Sequence, residues 1–145
     1  MRIETKYSGT VEINEEHVTR FPAGIPSFEE EKEFILLPFG EGPSPFYILQ
    51  SIQTAGLAFI VMEPFATFPD YEVALSDQTL EMLEIEAETD VSLFVILTLK
   101  DSFETSTANL RGPVVINHVK HLGRQVALQQ YETRTPIPVT AKEER

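Results

Sequence analysis

Three groups of side chains stand close enough in the sequence to suggest chemistry. Asp70 and Glu72 flank Tyr71, His118 and His121 form an H-x-x-H pair, and Glu81, Glu84 and Glu88 follow at steps of three and four. Two neighbouring carboxylates are the equipment of glycoside hydrolysis. In an extended segment, however, residues i and i+2 share a face by simple alternation, so this spacing needs no catalytic explanation. Two histidines are too few for zinc, which takes three or four ligands, and the adjacent Lys120 and Arg124 oppose a cation. Histidines of a surface turn account for the pair, and His17 is isolated. The chain has no cysteine, which removes disulfides, thiolate metal sites and cysteine nucleophiles. No G-x-S-x-G elbow, P-loop or dinucleotide fingerprint occurs, since Gly40-x-Gly42 lacks a third glycine and runs into prolines. The expectation is a non-enzyme without metal or cofactor.

Charge points toward partners instead. Eleven Lys and Arg against 23 Asp and Glu leave a net charge of −12. A phosphate backbone would be repelled, so no direct nucleic-acid binding is expected. The carboxylates are also segregated: residues 33–99 hold 11 of them and no Lys or Arg. After Arg111 the balance turns basic. Such asymmetry suggests a negative face able to steer a basic partner, although acidity also serves plain solubility.

The elements that must carry these groups are short. Residues 3–7 and 10–13 flank Ser8-Gly9, a hairpin turn, and Val11 and Ile13 alternate with polar neighbours. A run at 18–21 enters a loop with two prolines and a glycine. Further strands are expected at 34–39, 46–51, 57–62, 91–99, 114–117 and 125–129, with a turn-rich connector at 40–45. Those at 57–62 and 91–99 are apolar on both faces, as in a closed or sandwiched core. One helix is expected near 77–84, with Ser76 as its cap and Leu75 and Leu80 as a staple.

With 145 residues and 42% hydrophobic composition, one domain can bury about two thirds of its unfolded surface. The expected fold is all-β: a single-domain, closed, twisted β-barrel-like fold of eight or nine short strands with one short α-helix. A two-sheet sandwich is the alternative. The domain is expected over 1–133, with a flexible tail at 134–145 trailing outside the core. No apolar run is long enough to cross a membrane as a helix, and the first ten residues lack the apolar core of a signal peptide, so a cytoplasmic, monomeric protein is expected.

Five ordered motifs resemble one family. Phe21-Pro22-x-Gly24-Ile25-Pro26-x-Phe28-Glu29 is similar to the FPxGIPGFE signature of FliW proteins, with Ser27 where the family usually has a second glycine. Ser44-Pro45-Phe46 leading to Leu49-Gln50-Ser51 follows, then Phe59-Ile60-Val61 with Pro64-Phe65, then Phe68-Pro69-Asp70-Tyr71. The last runs from Thr107-Ala108-Asn109 through Gly112-Pro113 to Asn117, with Gly123-Arg124-Gln125-Val126 after it. This resemblance implies a flagellar assembly factor that acts as a partner switch. It binds flagellin in the cytoplasm, and when released it binds and allosterically antagonises the translational regulator CsrA, relieving repression of flagellin mRNA. A small acidic barrel holding a small-molecule ligand, or a generic interaction module, is the alternative.

Candidate partner contacts follow from both readings. The first aromatic–proline loop offers Phe21, Pro22, Gly24, Ile25 and Phe28, which either meet a partner or plug one end of the barrel. The second offers Phe65, Phe68, Pro69, Asp70 and Tyr71. Glu81, Glu84 and Glu88 are candidates for steering CsrA. Asn109 is a partner contact or, as its turn-rich surroundings favour, a structural turn residue with Gly112 relieving strain.

Overall fold

Pro and Gly cut the chain into runs too short for anything but brief strands and turns, and those runs pair around a closed barrel. The computed structural model describes residues 1–40, 44–101 and 105–138; positions 41–43 of the expected connector and 139–145 of the expected tail lie outside the described residues. The strands are β1 (Arg2–Glu4), β2 (Thr10–Glu12), β3 (Thr19–Arg20), β4 (Glu33–Pro38), β5 (Phe46–Ser51), β6 (Ala58–Met62), β7 (Val91–Thr98), β8 (Thr107–Ala108), β9 (Val114–Asn117), β10 (Leu122–Gln125) and β11 (Thr135–Pro136). Among the described residues the one α-helix, α1 (Asp77–Met82), lies between β6 and β7.

Seven strands close the barrel in the order β7-β6-β5-β4-β3-β10-β9, and β9 returns to β7. Closure runs antiparallel from Val91↔Asn117 to Phe94↔Val114, which decides against an open sandwich. Every pairing is antiparallel except β3 with β10, where Leu122 stands opposite Arg20. β8 and β11 extend from the far half of β7, and β1 and β2 form a separate hairpin.

Alternation along each strand sorts the apolar residues into two layers. Phe21, Phe34, Leu49, Val61, Phe94 and Ile116 fill the interior. Their chain neighbours point outward: Ile48, Ile60, Met62, Val95 and Leu97 pack under Tyr71, Leu110, Leu128 and Ile137. The strands are apolar on both faces because loops and extensions cover the outside as well. Each large side chain so buried contributes about 1.5–3 kcal/mol.

Three expected boundaries are corrected. The last long strand spans Leu122–Gln125, not 125–129: the turn after Asn117 closes through His121, whose φ is +58°, and returns the chain three residues early. Nor does the chain leave the core at Arg134. Thr135–Pro136 pairs with β8, and Ile137 is buried in the outer layer, so the domain continues to at least Pro138. α1 begins as expected, with the Ser76 hydroxyl accepting from the Thr79 amide. It stops at Met82, however, and Glu84 has a left-handed φ of +54°.

Buried Gln50 ties the N-terminal hairpin to the barrel. Its Oε1 accepts the Lys6 amide at 3.0 Å, while its Nε2 donates to carbonyls of the turn after β5, including Ala55 at 3.1 Å.

Candidate functional site

The loop after β3 is organised by its own turns. The Phe21 amide donates to Lys32 O, Gly24 to Phe21 O and Phe28 to Ile25 O. Gly24 has φ +70°, and a Cβ there would lie 2.5 Å from Glu29 O, so no other residue fits. Ser27 also takes a left-handed φ, +76°, where the family pattern has glycine. Its amide donates to Glu29 Oε2 at 3.0 Å, and the backbone amides of Glu29 itself and Ser27 hold that carboxyl below its usual range. This geometry sends Phe21 and Ile25 inward, where they are fully buried. They plug the barrel, so Phe21, Gly24 and Ile25 are not surfaces for a partner. Of the loop's candidates, Pro22 and Phe28 are exposed, and the Phe28 ring sets its edge on Phe59 at 5.6 Å.

The second stretch lies on the outside. Pro64 O receives the amides of Thr67 and Phe68, turning the chain off the end of β6. Tyr71 is buried: its hydroxyl donates to Leu110 O at 2.6 Å and its ring meets Tyr131 at 4.7 Å. Burial, and secondly the nearby Tyr131, push its pKa far above the ordinary phenol value. Phe68 is half-buried against the outer layer, while Pro69 and Asp70 are exposed. Phe65 is 45% exposed and stands 6.0 Å from the Tyr71 ring. Asp70 and Glu72 both face solvent, and the Glu72 amide donates to the Tyr131 hydroxyl. Asn109 is a turn residue: its Oδ1 accepts the Gly112 amide, and its own amide donates to Ile96 O. At Gly112 the backbone is not left-handed; a Cβ there would lie 2.7 Å from Gln125 Nε2 and would displace that side chain from its bond to Gly112 O.

The acidic segment does not form the unbroken negative face its sequence suggests. Lys120 Nζ sits 3.8 Å from Glu84 and 4.0 Å from Glu86, and Arg124 reaches Met82 and Thr79 at the helix. The basic part of the chain thus folds back onto the acidic part. Because α1 ends at Met82, Glu81, Glu84 and Glu88 do not share a helical stripe. All three are exposed, and Glu81 and Glu88 have no ion pair among the described residues.

Between residues 73–75, α1 and the start of β7 lies an open groove of about 540 Å³. Its floor is apolar, with Val73, Leu80, Ile85 and Leu93, and Glu86 and Glu88 stand on its rim with no Lys or Arg in its lining. The sequence reading missed this groove. Its only local sign is the alternation of Val73 and Leu75 with Glu72 and Ala74, an extended pattern outside any strand. Among the described residues no group of three or more His, Asp or Glu is placed to hold a metal.

The FliW protein family model matches residues 2–137. The chain belongs to the FliW family. It is 52% identical over 135 residues to a Geobacillus kaustophilus (strain HTA426) protein named flagellar assembly factor FliW, covering 93% of this chain and 92% of that one. A protein of the same name from Bacillus subtilis (strain 168) is 45% identical over 139 residues, covering 94% and 96%. The crystal structure of a flagellar assembly factor FliW superposes with a TM-score of 0.87 at 48% identity, covering 97% of this chain and all of the other. These relatives carry the name of assembly factors, not of enzymes. No helix among the described residues is long and apolar enough to cross a membrane.

Proposed function

We propose that this FliW-family chain works in flagellar assembly by reversible protein binding in the cytoplasm and catalyses nothing. Flagellin is one partner; CsrA, which the released protein antagonises, is the other. The observation that carries this reading is the apolar groove with a carboxylate rim; Phe65 adds an exposed aromatic on the outer wall of the barrel. A surface that joins an apolar floor to exposed carboxylates suits basic partners with apolar segments, because field steers the encounter and buried area holds the complex. CsrA must present basic residues to RNA, and an acidic protein docked beside them lowers their potential for phosphate. Flagellin's terminal segments, unpaired before assembly, offer apolar faces to Phe65 and Phe68. The two partners oppose each other's binding, and linkage makes that opposition reciprocal.

Titration calorimetry with purified flagellin and CsrA, separately and then in competition, tests this. Each should bind, and each should weaken the other. A ternary complex with unchanged affinities would refute the switch.

A further inference from the structure

The groove has a backbone edge as one wall. Along β7 the polar groups of alternate residues point to opposite sides. Asp90 O receives the His118 amide and Ile96 O receives the Asn109 amide, which aims the even-numbered residues at β9 and β8. The N–H and C=O of Leu93 and Val95 therefore face the β6 side. Val95 is met there by Met62, the last pair of that ladder. Continuing the register places Pro64 opposite Leu93. Proline has no N–H to give, and Pro64 O is already occupied by the Thr67 and Phe68 amides. The Leu93 N–H and C=O are left without a backbone partner among the described residues. Across the groove, Val73 and Leu75 alternate with exposed neighbours in a segment that joins no strand.

We propose that this slot takes an extended segment of a partner protein, which adds as a strand to β7 at Leu93. Its aliphatic side chains stand at alternate positions, and a lysine or arginine accompanies them. Main-chain hydrogen bonds to Leu93 set the register, and alternate side chains enter the floor formed by Leu80 and Ile85. The basic residue meets Glu86 and Glu88. Charge complementarity selects this occupant: the groove lining holds two carboxylates and no cation, Glu88 has no ion pair among the described residues, and Glu86 meets Lys120 only at 4.0 Å on an exposed surface. The proposal rests on the reading above only in treating this groove as a protein-binding surface; it is indifferent to which partner supplies the segment.

The test titrates the full chain with a fluorescent peptide of alternating valine and threonine ending in lysines. Two companions are a twin N-methylated at alternate amides and a twin with glutamate for lysine. The parent peptide should bind saturably and slow hydrogen exchange at the Leu93 amide. Each twin should bind roughly tenfold or more weakly, as loss of one or two hydrogen bonds or of the charge match implies. Glu86→Lys with Glu88→Lys should weaken the parent peptide similarly while leaving melting unchanged. Leu93→Pro should abolish Leu93-dependent binding; if that variant does not fold, the N-methylated twin still decides. No binding of the parent peptide, equal binding of the N-methylated twin, or unchanged exchange at Leu93 overturns the proposal. None of these outcomes touches whether flagellin and CsrA bind, which is settled by the calorimetry above.

Discussion

The loop at 21–28 and the stretch at 64–71 are built from the same vocabulary of phenylalanine, proline and a tight turn, yet they end in opposite environments. Phe21 and Ile25 enter the barrel, whereas Phe65 remains 45% exposed on its outer flank. The difference lies in what each turn leads to. The first loop sits between β3 and β4 over the open end of the interior, and Gly24 lets it fold back on itself. The second leaves β6 with its carbonyl at Pro64 capping the turn, so its aromatics can only lie on the barrel wall. Aromatic–proline composition predicts a shaped loop; whether that loop closes the core or presents itself to solvent depends on strands far away in sequence.

The most forceful way to break this comparison is to truncate the plug. Phe21→Ala should cost about 3–5 kcal/mol of stability, measured by denaturant unfolding. A loss under about 1 kcal/mol would mean the loop is not core. Phe65→Ala should do the reverse, leaving stability within about 0.5 kcal/mol and weakening a partner by about 1–3 kcal/mol in calorimetry. Tyr71→Phe separates the buried part of the second stretch from the exposed part. It strands Leu110 O and should cost about 1–2 kcal/mol. It should also alter the alkaline limb. The folded phenol keeps its proton where the unfolded chain has lost it, so stability is intact below about pH 10 and falls as pH rises beyond. Melting curves against pH should show that fall flattened in the variant.

Ser27→Gly sharpens the first loop's side of the comparison. Removing a Cβ from a left-handed residue should raise stability by about 1 kcal/mol, read as a higher melting temperature. The smallest effect concerns charge. Glu81→Lys with Glu88→Lys should slow CsrA association by roughly threefold at low salt and flatten its salt dependence in stopped-flow traces. Adding Glu84→Lys to the pair should contribute less, because Lys120 already neutralises that carboxylate. An on-rate indifferent to both reversals would leave these carboxylates with solubility alone.

Much of the fold was legible because local patterns and tertiary pairing agreed. β5 and β9 fall where their apolar runs fall, and Ser76 caps α1 as its position before the apolar steps suggested. What escaped were elements without a local signature. β8 and β11 have two residues each, too few for a period to be read, and exist because a neighbour offers a free edge. Ile137 looked like tail because two prolines flank it, but the outer layer had room for it. The candidate surface was legible only in part. Exposure of Phe65 and burial of Phe21 could not be told apart by residue type. The free edge at Leu93 depends on a β6–β7 ladder whose last pair is Met62 with Val95, ahead of Pro64. The acidic face was overdrawn because Lys120, remote in sequence, folds beside Glu84.

The single parallel pairing, Leu122 beside Arg20, also governs how this chain comes into being. Two strands about a hundred positions apart must meet before the barrel is sealed, and β9 must find β7 in the same act. While the chain is still being synthesised, the β4–β6 meander emerges early and waits with apolar surface and an unpaired margin in view. Contacts of such long range make folding slow and leave that interval exposed to association with other chains. Newly made protein is therefore at its most vulnerable to aggregation just before β9 and β10 leave the ribosome.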